Sequence, residues 1–153
     1  MREERGMLKD TRVLVVEDDP QVAEVIEWNL LAAGYTVTVV PDGLTALRAF
    51  DDARPALVTI DLNVPEVSGF RLVQLFKRFA PNVPVIVVTA FAFEEAEEIV
   101  RAGADDFVSK PFDPQELLQK IDYHLDHLNR PRYPLPSSTS RIFRRSPLAT
   151  ELA

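Results

Sequence analysis

Four short strand-like runs each stop at a residue able to do chemistry. Val13–Val16 runs into Glu17-Asp18-Asp19, Leu57–Ile60 into Asp61, Val85–Val88 into Thr89, and Asp106–Ser109 into Lys110. Taken singly, each has an ordinary reading. Asp19 suits a helix cap, Asp61 a turn, Thr89 plain packing, and Lys110 a solvated loop before Pro111. Taken together they supply three or more carboxylates, a hydroxyl and an ammonium. Clustered carboxylates repel one another and call for a cation. The chain has no cysteine, and its two histidines, His124 and His127, lie far along near the end. Oxygen-only ligands of this kind select a hard ion such as Mg²⁺, with Mn²⁺ as the alternative. Phosphoryl transfer asks a protein mainly for charge neutralisation and positioning, and an Asp carboxylate can itself be the nucleophile, forming an acyl phosphate. Asp61 is the candidate nucleophile, Lys110 a point charge and Thr89 a hydroxyl donor to the same phosphoryl oxygens.

Such residues act together only if the fold brings them together. Short β-branched runs alternate with amphipathic stretches, the pattern of a parallel sheet with crossover helices. Strands are expected at Val13–Val16, Thr36–Val40, Leu57–Ile60, Val85–Val88 and Asp106–Ser109. The first, third and fourth are nearly all apolar and should be central, covered on both faces. Between them, Val22, Val25, Ile26, Leu30 and Ala33 recur at helical spacing, with Asp19 as cap, Pro20 at the first helical position and Gly34 as stop. Asp42 opens a second helix carrying Leu44, Leu47 and Phe50. Ser68–Phe79 predicts a third and Glu94–Ala102 a short fourth stopped by Gly103. Asp113-Pro114 starts a fifth, with Leu117, Leu118, Ile121, Leu125 and Leu128. In a parallel sheet all strand carboxyl ends share one edge, where ligands bind at the switch in strand order.

Composition bounds the function. With 153 residues, 46% hydrophobic and 27% charged, the chain can bury one real core. Residues 1–10 read as an N-terminal extension, 11–129 as the domain, and 130–153 as a Pro/Ser/Arg-rich linker or disordered tail. The net charge of −7 is uneven: the stretch from Arg130 carries +4 and the remainder −11. An acidic body lacks the basic face that grips nucleic acid, so no nucleic-acid binding is expected of this segment. The apolar run Val83–Phe93 is broken by Pro84 and is too short to span a membrane. Residues 1–10 lack the apolar centre of a signal peptide, and a cytoplasmic location is expected.

The sequence resembles the receiver (CheY-like) domain of bacterial two-component response regulators. The residues that carry the likeness are Val-Val-Glu17-Asp18-Asp19-Pro20, Asp61-Leu-Asn63-Val-Pro65 followed by Ser68-Gly69, Val-Val-Thr89-Ala90, and Gly103-Ala-Asp105-Asp106-Phe107-Val-Ser-Lys110-Pro111-Phe112. The match runs from about Arg12 to Asn129. It implies an α/β, flavodoxin-like doubly wound (βα)5 sandwich with a parallel sheet of order 2-1-3-4-5. It implies that Asp61 takes a phosphoryl group from a phosphohistidine on a sensor histidine kinase or phosphotransfer protein. By position, Asp18 and Asp61 would bind magnesium directly, Glu17 through water and Asn63 through its backbone carbonyl. Thr89, Ala90, Phe107 and Lys110 would contact the phosphoryl group or switch with it, and the Lys110-Pro111 bond would be cis. The fourth helix, fifth strand and fifth helix would form the readout face.

Other readings fit less well. Haloacid-dehalogenase-like phosphatases also use an Asp nucleophile, but with a second Asp two residues on as acid. Asn63 stands there, and an amide cannot donate that proton. The chain is thus expected to be a phosphoacceptor, with self-catalysed phosphorylation and dephosphorylation, rather than an enzyme. A pseudo-receiver would lack the acids, the Asp or the Lys, and flavin binding would need a phosphate loop after the first strand. Homodimerisation through the readout face is a further implication: Asp106, Lys120, Arg101 and Glu116 suit it, whereas Ala96, Asp122 and His127 depart from the usual basic pattern. The chain is either a single-domain regulator or the front of a longer one whose linker begins at Arg130.

Overall fold

The computed structural model describes residues 11–129; the extension over 1–10 and the tail over 130–153 lie outside the described residues, as do the side chains of His127, Leu128 and Asn129. Five strands alternate with five helices: β1 (Arg12–Val16), α1 (Pro20–Ala32), β2 (Thr36–Val40), α2 (Gly43–Ala53), β3 (Leu57–Ile60), α3 (Gly69–Phe79), β4 (Val85–Thr89), α4 (Ala96–Ala102), β5 (Asp106–Ser109) and α5 (Pro114–Asn129). The sheet is wholly parallel, in the order β2-β1-β3-β4-β5. This is the flavodoxin-like fold and strand order expected of the sequence.

Alternation along the strands builds two cores. Leu14, Val16, Val58, Ile60, Val85 and Val87 face α2, α3 and α4, where they meet Ala46, Leu72, Val73, Phe76 and Ile99. Val13, Val15, Leu57, Ile86 and Val88 face α1 and α5, meeting Ile26, Leu30, Leu117, Ile121 and Leu125. Strands buried on both faces read as continuous apolar runs, and β1, β3 and β4 do so. Phe50 and Phe76 stack at 4.5 Å, tying α2 to α3.

Helix starts follow local chemistry. Asp19 accepts from the Gln21 and Val22 amides, Asp42 from Thr45, Ser68 from Arg71, and Asp113 from Gln115. Helix α4 begins two residues later than its sequence suggests. Residues 91–95 coil into turns, the Glu95 amide bonds to the Phe91 carbonyl, and Glu95 offers no side-chain cap. Three apolar residues of the expected helical stripes, Val25, Leu44 and Phe79, are instead exposed.

Candidate functional site

Glu17, Asp61 and Lys110 are each pinned by a backbone bond one step beyond the regular ladder. The Glu17 amide donates to the Val40 carbonyl, Asp61 to Val16, and Lys110 to Thr89, at 3.0, 2.9 and 2.9 Å. Parallel pairing thus sets the carboxyl ends of β1, β3, β4 and β5 side by side. The loop after β3 is shaped by Gly69, whose amide bonds to Leu62 O. A Cβ on Gly69 would lie 2.3 Å from Leu62 Cα, so only glycine allows the loop to fold this closely under Asp61.

The result is an acidic cup. One carboxylate oxygen each from Glu17, Asp18 and Asp61 falls within 4.8 Å of the others. Glu17 and Asp61 are buried and Asp18 is exposed. The Lys110 ammonium sits between the two buried acids, 2.6 Å from Glu17 Oε1 and 3.0 Å from Asp61 Oδ2. The second Asp61 oxygen accepts the Asn63 amide at 3.0 Å. Burial and the neighbouring Asp61 push the Glu17 carboxyl up to about 7, despite the lysine. Burial works against the Lys110 charge, but Glu17 and Asp61 outweigh it and hold the ammonium above the usual lysine range. One ammonium against three carboxylates leaves the cup short of positive charge. Its donor set, all oxygen with one acid open to solvent, fits a hard divalent cation.

The other expected residues surround this cup. Thr89 ends β4 fully buried, and its Oγ1 has no hydrogen-bond partner among the described residues. Ala90 is exposed at the next position. Phe107 lies on β5 opposite Val87, half-buried, with its ring edge-on to Phe93 at 6.3 Å and the Lys120 ammonium 5.8 Å from its centroid. The Lys110-Pro111 peptide is cis. His124 is far from being a cup ligand: it pairs with Asp106 Oδ2 at 3.0 Å.

Several features were not anticipated from sequence. Asp106 binds Lys120 at 3.2 Å within the chain, and Arg101 pairs with Glu97, so residues considered for subunit contacts have partners at home. Asp105 ties Lys77 at 2.9 Å to the start of β4 through the Val85 amide. Glu95 at the α4 entry has its carboxyl pushed up by burial, by Glu98 and Glu94, and by the field of Asp61. An apolar cavity of about 460 Å³ flanks Lys110, lined by Val22, Val25, Ala90, Pro111 and Phe112 among others. Nothing in the sequence signalled it, since Val25 sits on the expected helical stripe and only the structure shows it exposed.

Comparison with known proteins agrees with this geometry. Residues 13–122 match the model of the response regulator receiver domain. The chain is 31% identical over 140 residues to the DNA-binding dual master transcriptional regulator RpaA of a Synechocystis species, covering 90% of this chain and 57% of that protein. The chain spans about half the length of the curated relatives it matches. Among solved structures, the CheY-like receiver domain protein of Methanospirillum hungatei superposes with a TM-score of 0.74 at 28% identity, over 78% of this chain and 96% of that one. The receiver domain of sensor histidine kinase PA1611 from Pseudomonas aeruginosa, which has a magnesium ion coordinated in its active-site cleft, gives 0.71 at 31% identity, over 76% and 98%. A parallel sheet of order 2-1-3-4-5, an acidic cup at its carboxyl edge and a family match over most of the chain lead to one conclusion: this chain belongs to the response regulator receiver domain family.

Proposed function

We propose that Asp61 is the phosphoryl acceptor of this two-component receiver, supplied by a phosphohistidine on a sensor histidine kinase or phosphotransfer protein. The observation that carries it is the pairing of buried Asp61 with Lys110 at 3.0 Å inside a three-carboxylate cup. Glu17, Asp18, Asp61 and the Asn63 carbonyl would hold Mg²⁺, or Mn²⁺ in its place. Such an ion supplies charge neutralisation for the carboxylate and the incoming phosphoryl oxygens.

An Asp61 oxygen attacks phosphorus, the P–N bond breaks, and its electron pair returns to the imidazole of the donor. The Asn63 amide, already bonded to the other Asp61 oxygen, orients the carboxylate. Lys110 exchanges its carboxylate contact for a phosphoryl oxygen. Thr89, buried with an unpartnered hydroxyl, gains its missing acceptor there, with the Ala90 backbone alongside. The phosphoryl group thereby favours the conformer it contacts better. Movement of Thr89 frees space for Phe107, which transmits the change to the α4–β5–α5 face and favours homodimerisation through it. The chain acts as a phosphoacceptor with self-catalysed gain and loss of phosphate, not as a turnover enzyme. No helix among the described residues is long and apolar enough to cross a membrane, and we assign the protein to the cytoplasm. We assign no nucleic-acid binding to the acidic body of this segment; the relatives named as DNA-binding are longer chains.

Acetyl phosphate with Mg²⁺ should add one phosphoryl group to the wild type and none to Asp61→Asn, read by intact mass. Equal labelling of both rejects the assignment.

A further inference from the structure

Helix α1 turns an apolar sector away from the core. Ala23, Ile26 and Leu30 are buried beneath it, while Val25, Trp28 and Leu31, three residues apart in turn, are exposed, Trp28 to 70%. Side chains at this spacing share one side of a helix. An exposed tryptophan flanked by two aliphatic residues is a surface that gains from being covered. Its surroundings are acidic. Exposed Glu24 and half-buried Glu27 flank Trp28 on α1, and Asp122 and Asp126 lie on neighbouring α5, where Asp122 accepts a hydrogen bond from Tyr35 just past the end of α1. Helix α1 has no Lys or Arg. The only one on α5, Lys120, is committed to Asp106 and to the Phe107 carbonyl.

A complement of this surface occurs in the sequence after α5. Arg141-Ile142-Phe143-Arg144-Arg145 joins two apolar side chains to three arginines. It follows α5, whose last turns pack beside α1: Leu125 shares a core cluster with Leu30 and Tyr35. Ile142 is thirteen residues beyond Asn129, a reach of up to about 40 Å when extended, against an α1 length of about 20 Å. We infer that Arg141–Arg145 docks in cis on the outer face of α1, with Ile142 and Phe143 covering Trp28 and Leu31 and the arginines meeting Glu24, Glu27 and Asp126. Arginine suits the task because its guanidinium pairs with carboxylates and also stacks on an aromatic face.

Trp28 is the only tryptophan in the chain, so it reports its own cover. In the full chain, its emission should shift to the red and its acrylamide quenching should rise in two tail variants, Ile142→Ser/Phe143→Ser and Arg144→Glu/Arg145→Glu. In the wild type, about 1 M NaCl, where the Debye length is ~3 Å, should do the same. Neither variant touches the described fold, so loss of folding is not an alternative explanation. Identical quenching in wild type and both variants overturns the proposal. Protection that grows with protein concentration also overturns it, because the occupant would then be a second copy.

Discussion

Lys110 stands between two buried carboxylates that would otherwise repel each other, and this gives it two jobs. It neutralises Glu17 and Asp61 in the unmodified protein, and it is the cation nearest to any group added on Asp61. Lys110→Ala should therefore still accept phosphate from acetyl phosphate but fail to transmit it. Hydrogen exchange around Phe107 and α4 would stay unchanged on labelling, and a normal response would contradict the role. Thr89 allows a sharper test. A buried hydroxyl without a partner costs about 1–3 kcal/mol, so Thr89→Val should stabilise the unmodified protein, by about 1 kcal/mol in urea unfolding. The same variant should lose the response to phosphorylation. Equal or lower stability would mean that the hydroxyl is already satisfied.

At the scale of elements, the contact between β5 and α5 adds a polar cluster at Asp106 to the apolar packing of Val108 on Leu117, Ile121 and Leu125. Asp106 at the start of β5 gathers Lys120 and His124 from α5 and its own Phe107 amide. Burial raises its carboxyl pKa, but His124, Lys120 and that amide outweigh burial and hold it below the usual carboxylate range. A folded-state pKa below the unfolded value stabilises fully above the unfolded value and is lost as pH falls through the folded one. Asp106→Asn should then cost about 1.5–3 kcal/mol at neutral pH, the range for hydrogen bonds to a charged group. Its stability should also fall less steeply than that of the wild type as pH drops below about 4. Parallel pH–stability curves for the two proteins would refute this. The element boundaries themselves were legible from caps: Asp19, Asp42, Ser68 and Asp113 each open a helix as their side chains dictate. The α4 start was not, because Glu94 and Glu95 provide no short capping oxygen and the turns over 91–95 are closed instead by the Glu95 amide on the Phe91 carbonyl.

At the scale of the molecule, the site lies at the sheet edge, and in the proposed mechanism the α4–β5–α5 face would carry the switch outward through Phe107, whose ring meets exposed Phe93 edge-on. Acetyl phosphate should convert the wild type from monomer to dimer in analytical ultracentrifugation and leave Asp61→Asn unchanged; a wild type that stays monomeric rejects pairing through this face. The arginine-rich tail belongs to the same scale, since a charge of +4 beside a body of −11 sets an attraction that no single residue reveals. By itself, the sequence determined the βα alternation, the central strands and the identity of the chemical groups, because apolar periodicity and capping are local properties. That Glu17, Asp18, Asp61 and Lys110 would converge followed from strand parallelism. The tertiary structure alone decided that Lys110 bridges both buried acids, that Thr89 is left without a partner, that Asp106 is satisfied within its own chain and that Trp28 faces outward. Each depends on side-chain directions and distances between residues tens of positions apart, which only packing in three dimensions can set.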